Sequence, residues 1–296
     1  MNKLSVTALA LLAGSITTAA WAANELQRRV DAHPRGTVSI NNVSGSVEVL
    51  GWSRNEVDVA ADLGWEAGEL IVERDGDRVR IEVEDKDRRK RDVSSDLVIR
   101  LPEGSSIEVG GVSADIEVGG VHGDQRLHTV SGDIVAEVHE GDVNMETVSG
   151  DLEISGNGHD ILARLSTTSG DIDVNGLAGE IEATAVSGSI TIGPGRFEQV
   201  SANSVNGELE LGVELEDDGR VDLETINGEV DINFIGPLSA RFDVETFNGG
   251  IRNCFGPKVQ SNGFMRGEVL KFTEGTGEGR VTIRTLNGAI RICRSE

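Results

Sequence analysis

Tyrosine is absent from this 296-residue chain, and aromatic residues make up only 3% of it. That scarcity argues against a conventional core built on large rings. Positive charge is also in deficit, with 27 Lys and Arg against 51 Asp and Glu for a formal net charge of −24. Nucleic acid and anionic membrane are themselves anions, so neither is an expected partner over the whole surface. Long apolar runs are missing, and no segment beyond the N-terminal stretch approaches the ~20 residues of a spanning helix. No Gly-x-Ser-x-Gly elbow, phosphate loop, dinucleotide fingerprint or zinc-ligand spacing occurs. Cysteine occurs only twice, at Cys254 and Cys293, which rules out a disulfide-dense scaffold.

The first residues read as a targeting segment. Lys3 precedes an apolar stretch from Leu4 to Ala13, and Ala20-Trp21-Ala22 ends in the small-x-small pattern of a signal peptide cleaved after Ala22. No cysteine lies there to carry a lipid. Removing Lys3, the only charged residue of residues 1–22, takes the net charge from −24 to −25. The mature chain is expected to be soluble and extracytoplasmic, periplasmic or at the cell surface.

What the chain does contain is a ten-fold internal repeat: hydrophobe, Ser or Asn, Gly, an acidic or small residue, then apolar-x-apolar. Val148-Ser149-Gly150-Asp151-Leu152-Glu153-Ile154 and Ile226-Asn227-Gly228-Glu229-Val230-Asp231-Ile232 are two copies. Turn glycines at Gly132, Gly150, Gly170, Gly188, Gly207, Gly228 and Gly249 lie 18, 20, 18, 19, 21 and 21 residues apart. Ala114 takes the same place one unit earlier, Gly45 marks an outlying copy, and Gly288 follows 39 residues after Gly249. A fixed period of this kind means stacked units. Apolar pairs two residues apart, such as Leu152 and Ile154, share one face of a strand. A half-repeat at Gly123-Asp124, Gly141-Asp142-Val143 and Gly179-Glu180-Ile181 gives each unit two short strands.

The pattern predicts an all-β fold, a β-solenoid of about nine to ten coils. At ~4.8 Å per coil it would be roughly 45 Å long, and several coils are needed before the array is stable. Gly takes positive φ at low cost and Asn tolerates it, which predicts left-handed corners. Early units use Ser and late units Asn (Asn206, Asn227, Asn248, Asn287), and stacked Asn side chains would form a ladder. Residues 23–107 carry longer alternating runs, read as an N-terminal antiparallel β cap, with Lys86 to Arg91 at an exposed hairpin tip. Residues 108–296 hold the repeats.

The lead-in Leu101-Pro102-Glu103-Gly104-Ser105 and the tandem Thr-Val-Ser-Gly-Asp and Thr-Leu-Asn-Gly units resemble the bacterial putative adhesin family over residues 36 to 293. The resemblance implies an exported protein of β-strand repeats. That family, a domain of unknown function, supplies no catalytic residues.

Chemistry is left to the outward columns. Asp115, Asp133, Asp151, Asp171, Glu208 and Glu229 follow the turn, with Glu117, Glu153, Asp173, Glu210 and Asp231 two residues on. Stacked like charges repel by up to about 1 kcal/mol per pair in water, and a weakly held calcium ion would relieve that repulsion. The calcium nonapeptide pattern is not met, since Gly119-Gly120-Val121-His122-Gly123-Asp124 departs from it at two positions. His122, His128 and His139 fall at unequal spacings, unlike a metal site. Gly249-Gly250-Ile251-Arg252-Asn253-Cys254 aligns with Gly288-Ala289-Ile290-Arg291-Ile292-Cys293, so adjacent coils would bring Cys254 and Cys293 within disulfide reach. The expected function is a non-catalytic adhesin-like interaction or structural module at the cell envelope, with a glycan or protein partner. The alternatives are a lyase or hydrolase of acidic polysaccharide on a solenoid scaffold, and a periplasmic component of envelope-stress signalling.

Overall fold

The computed structural model describes residues 25–64, 68–84, 94–261 and 267–295. The signal-peptide stretch and the basic run Lys86 to Arg91 lie outside the described residues. All elements are β: 23 strands joined in one hydrogen-bonded sheet, with no helix among the described residues.

Most of the pairing is parallel, and the strands of the repeats pair with their counterparts one repeat away. Val143–Ser149 pairs with Asp160–Ser169, which pairs in turn with Ala178–Ser187. Equivalent repeat positions fall opposite one another, as in Leu152↔Ile172 and Ile172↔Ile190. Inward positions alternate with outward ones along each strand, so Ile134, Leu152, Ile172, Ile190, Leu209 and Val230 form a buried column. Fully burying such a side chain contributes roughly 1.5–3 kcal/mol. The columns merge into one continuous core.

Five phenylalanines depart from the expectation of a ring-free interior: Phe197, fully buried in mid-stack, and four more at the C-terminal end. Phe234, Phe242, Phe255 and Phe272 gather at the C-terminal end, with Phe242 and Phe272 stacked at 4.3 Å between centroids. This is where the stack ends and irregular chain closes it, leaving space that aliphatic columns do not fill.

The N-terminal region corrects the antiparallel reading. Thr37–Trp52 pairs in parallel with Ser106–Gly119 from Thr37 to Leu50. Its other edge is also parallel, against Arg78–Glu84 and Ser95–Pro102. It carries Val43-Ser44-Gly45, so it stacks as a repeat unit. Only Glu25–Asp31, Glu56–Leu63 and Glu69–Asp75 add antiparallel pairs. The far end has its own cover, because Glu268–Glu274 pairs antiparallel with Ala240–Asn248 and shields that edge.

Stacking order and chain order also part company. Gly279–Asn287 lies between Leu209–Asn227 and Ala240–Asn248, paired in parallel with both. The terminal unit is therefore Ala240–Asn248 with Ile251–Asn253, and the last residues of the chain insert beneath it.

Candidate functional site

The corner of each unit is built by four columns, and each has a packing task. The turn glycines meet backbone. A Cβ on Gly150 would sit 1.9 Å from the Gly132 carbonyl oxygen, and one on Gly228 would sit 1.8 Å from that of Gly207. Close approach, not conformation, demands glycine at most corners. Gly132, Gly150, Gly207, Gly228, Gly249 and Gly288 do not have positive φ, and no described non-glycine residue does. The left-handed corners expected from Ser-Gly and Asn-Gly are thus corrected at these six, whereas Gly45, Gly170 and Gly188 do take positive φ, at 110°, 154° and 157°.

Three residues before most of the turn glycines, a buried hydroxyl satisfies the carbonyl of the neighbouring corner, with Ala185 before Gly188 an exception. Thr147 Oγ1 donates to Gly132 O at 3.3 Å, Thr167 to Gly150 O at 3.2 Å and Thr285 to Gly228 O at 3.2 Å. The asparagines form the expected ladder: Asn227 Nδ2 donates to Asn206 Oδ1 at 2.8 Å, Asn287 to Asn227 at 2.8 Å and Asn248 to Asn287 at 2.9 Å. Asn227 is both donor and acceptor. Asn227→Asp removes the donor and places a charge against Asn206 Oδ1, so it should lower stability by about 1–2 kcal/mol. A urea titration checks this, and a midpoint equal to that of Ser149→Ala would refute the ladder's contribution.

The acidic column has a role that its spacing did not reveal. Asp115 Oδ1 accepts the Asp133 amide at 3.1 Å, Asp133 the Asp151 amide at 2.9 Å, Asp151 the Asp171 amide at 2.8 Å and Asp171 the Ser189 amide at 2.7 Å. Each carboxylate ties its unit to the next. Asp124 and Asp142 do the same at the half-repeat, accepting the amides of Asp142 and Leu162. A hydrogen bond to the charged form offsets part of the repulsion between neighbours. Glu208 and Glu229 make no such bond among the described residues. No group of three or more potential metal-ligating side chains comes together among the described residues.

His122 and His139 stack at 4.6 Å between centroids, while His128 sits apart beside Gly110. A groove of about 470 Å³ at the C-terminal end is lined by Glu229, Asp231, Glu268, Arg252 and Arg291, with backbone of Gly250 and Ala289. Two of its three carboxylates are engaged: Asp231 binds Arg291 through Nε at 2.6 Å, and Glu268 Oε2 accepts the Ile251 amide at 2.6 Å. The bond to Asp231 raises the Arg291 guanidinium above its ordinary value. Small residues and arginines here interrupt the acidic columns of the earlier units.

The feature that the sequence reading passed over is the first position of the motif. Val43, Val112, Val130, Val148, Val186, Ile226, Phe247 and Leu286 are each 41–56% exposed, and with Val135 they are the exposed large hydrophobics among the described residues. All but Val135 occupy one column beside the corner. In stack order the column runs Val43, Val112, Val130, Val148, Thr168, Val186, Val205, Ile226, Leu286, Phe247. The registers therefore place an aliphatic ridge along ten stacked corners. Its signal was the recurrent hydrophobe at a position that alternation puts outside.

The family model for Toastrack DUF4097 matches residues 39–293, nearly all of the stacked units. The chain belongs to this family. No curated protein matches it significantly. Among solved structures it is similar to a putative adhesin from Bacteroides fragilis, at 12% identity and a TM-score of 0.43, covering 90% of this chain and 96% of that one. A putative adhesin from Parabacteroides distasonis gives 8% identity and a TM-score of 0.33, over 90% and 96% of the two chains. A putative lipid binding protein from the same organism gives 12% identity and a TM-score of 0.28, over 92% and 97%. The Toastrack corner is thus a stack of glycines, hydroxyls and amides inside, with an aliphatic ridge outside. No described helix is long and apolar enough to cross a membrane.

Proposed function

We propose that this Toastrack chain is an exported β-solenoid acting as a non-catalytic, adhesin-like interaction module at the cell envelope. Its contact surface is the aliphatic ridge. The carrying observation is that eight of the nine exposed large hydrophobics among the described residues lie in one column. Apolar side chains gathered this way mark an interaction site, whereas scattered ones do not. The early carboxylates each accept a backbone amide of the next unit, which gives the acidic column a structural role. A ridge of mostly aliphatic side chains, with Phe247 at one end its one aromatic face, suits a protein partner better than a sugar ring. The Ala20-Trp21-Ala22 ending and the Cys254–Cys293 bridge support an extracytoplasmic site.

The test uses residues 23–296 and a Val130→Asp/Val148→Asp variant, against protein-containing and protein-stripped envelope fractions. Binding to the first should fall at least about tenfold in the variant, equivalent to about 1.4 kcal/mol. A glycan array with and without calcium and a reducing-end assay on acidic polysaccharide accompany it. Ridge-independent glycan binding, or product release from the Glu229–Glu268 groove, would overturn the proposal.

A further inference from the structure

We infer that the ridge pairs with the ridge of a second copy of this chain, the two stacks running antiparallel about a two-fold axis. This rests on the reading of the ridge as a contact surface and names its partner. The first argument is periodicity. Successive ridge side chains are separated by one strand spacing, ~4.8 Å. An α-helix lying along the ridge repeats every ~5.4 Å, so it slips by a full residue column within about eight turns. An extended strand lying along the ridge presents one face every ~6.7 Å and loses register sooner. A second stack of the same period keeps every side chain matched from end to end.

The second argument is area. The eight ridge residues expose roughly 600 Å² per copy at the fractions given above, so two ridges bury about 1,200 Å², the lower bound for a specific interface. Adjoining serines and asparagines add to it. These are uncharged, and contact there buries no carboxylate.

Charge decides the direction. Parallel stacks would set the Asp115, Asp133, Asp151 and Asp171 units level with the same acidic units of the partner. Antiparallel stacks set the Asp115 unit level with the unit carrying Arg291 and the Asp171 unit level with the Ser189 unit, so that only the Asp133 and Asp151 units still face carboxylates, those of Glu229 and Glu208. In that arrangement Val130 faces the partner's Ile226, and Val148 faces the partner's Val205, with the axis between Thr168 and Val186. A two-fold contact of this kind is closed, so assembly stops at two copies.

Sedimentation velocity of residues 23–296 should show a dimer. Val130→Asp/Val148→Asp should weaken it at least about 100-fold, since each charge is buried twice in the two-fold contact. Its far-UV circular dichroism should be unchanged. Mild oxidation of Val130→Cys mixed with Ile226→Cys should yield a cross-linked species holding one of each, while neither protein alone cross-links efficiently. Wild-type protein monomeric at about 100 µM, a range that captures even weak pairs, would overturn the inference. So would a Val130→Cys protein that cross-links alone as well as in the mixture. A monomer with ridge-dependent envelope binding overturns only the two-fold pairing. A monomer whose envelope binding ignores the ridge overturns the contact surface as well.

Discussion

Gly207→Ala is expected to cost more than about 4 kcal/mol and to leave little folded protein, because its Cβ has nowhere to go. The added methyl would lie 1.8 Å from the Gly188 carbonyl oxygen and 2.5 Å from its carbon. Neither group is the end of a flexible side chain that could swing aside. Both backbones are pinned by the pairing itself: the Gly188 amide donates to Asn206 O at 3.0 Å, and the Gly207 amide to Asn227 O at 3.2 Å. Separating them means breaking the ladder between units, and total stability is only about 5–15 kcal/mol. Two companion variants separate this cause from others. A Cβ on Gly250 meets only Glu268 Oε2, at 3.7 Å, so Gly250→Ala should shift stability by less than about 1 kcal/mol. Gly76 has open space but φ of 62°, so Gly76→Ala should cost about 1 kcal/mol from backbone strain alone. Urea midpoints rank the three. A Gly207→Ala protein within about 1 kcal/mol of wild type would mean the corners do not approach this closely.

The glycine column shows how far the chain could be read without coordinates. Its spacing located the corners, because a residue required at most turns leaves a period, even with Ala114 in its place at one of them. The reason for glycine was misassigned: contact with the neighbouring unit and a positive φ demand the same residue, and only geometry separates them. The Asn ladder was legible since identical side chains at one strand spacing can bond only along the stack. The acidic column was legible as a column. Its bonding to the next unit's amide depends on rise and corner angle, which no residue pattern encodes.

Stacking order was hidden for a different reason. The matching Gly-x-Ile-Arg-x-Cys runs at Gly249 and Gly288 suggested that the two units are neighbours, and they do pair. Which of them lies at the end depends on the antiparallel strand Glu268–Glu274, which occupies the outer edge of Ala240–Asn248. The ridge was overlooked because a hydrophobe inside a repeat invites a core reading. Counting by twos from the buried Thr147 would have placed Val148 outside.

Loss of the Cys254–Cys293 bridge is expected to release the C-terminal unit while the rest of the stack stays folded. The two cysteines are joined across stacked units, with Cα atoms 4.8 Å apart and a sequence separation of 39. A closed loop of that length stabilises by about 4 kcal/mol on the chain-entropy account. That contribution acts where the stack is weakest. The terminal unit has one stacked neighbour, Gly279–Asn287 with Ile290–Ser295, and only the antiparallel strand beyond it. Interior units are held on both sides, as Asp160–Ser169 is by Val143–Ser149 and Ala178–Ser187. In an array whose units contact only their neighbours, a local loss stays local. The Cys254→Ser/Cys293→Ser protein should therefore lose hydrogen-exchange protection across residues 240–274 and keep it across 143–228. Its thermal melt should gain an early transition that wild type shows only under reductant. The native protein should carry no alkylatable thiol. A single concerted melt lowered along the whole chain would show that the stack folds as one unit. Unchanged protection at 240–274 would show that Phe242, Phe255 and Phe272 hold the end without the bridge.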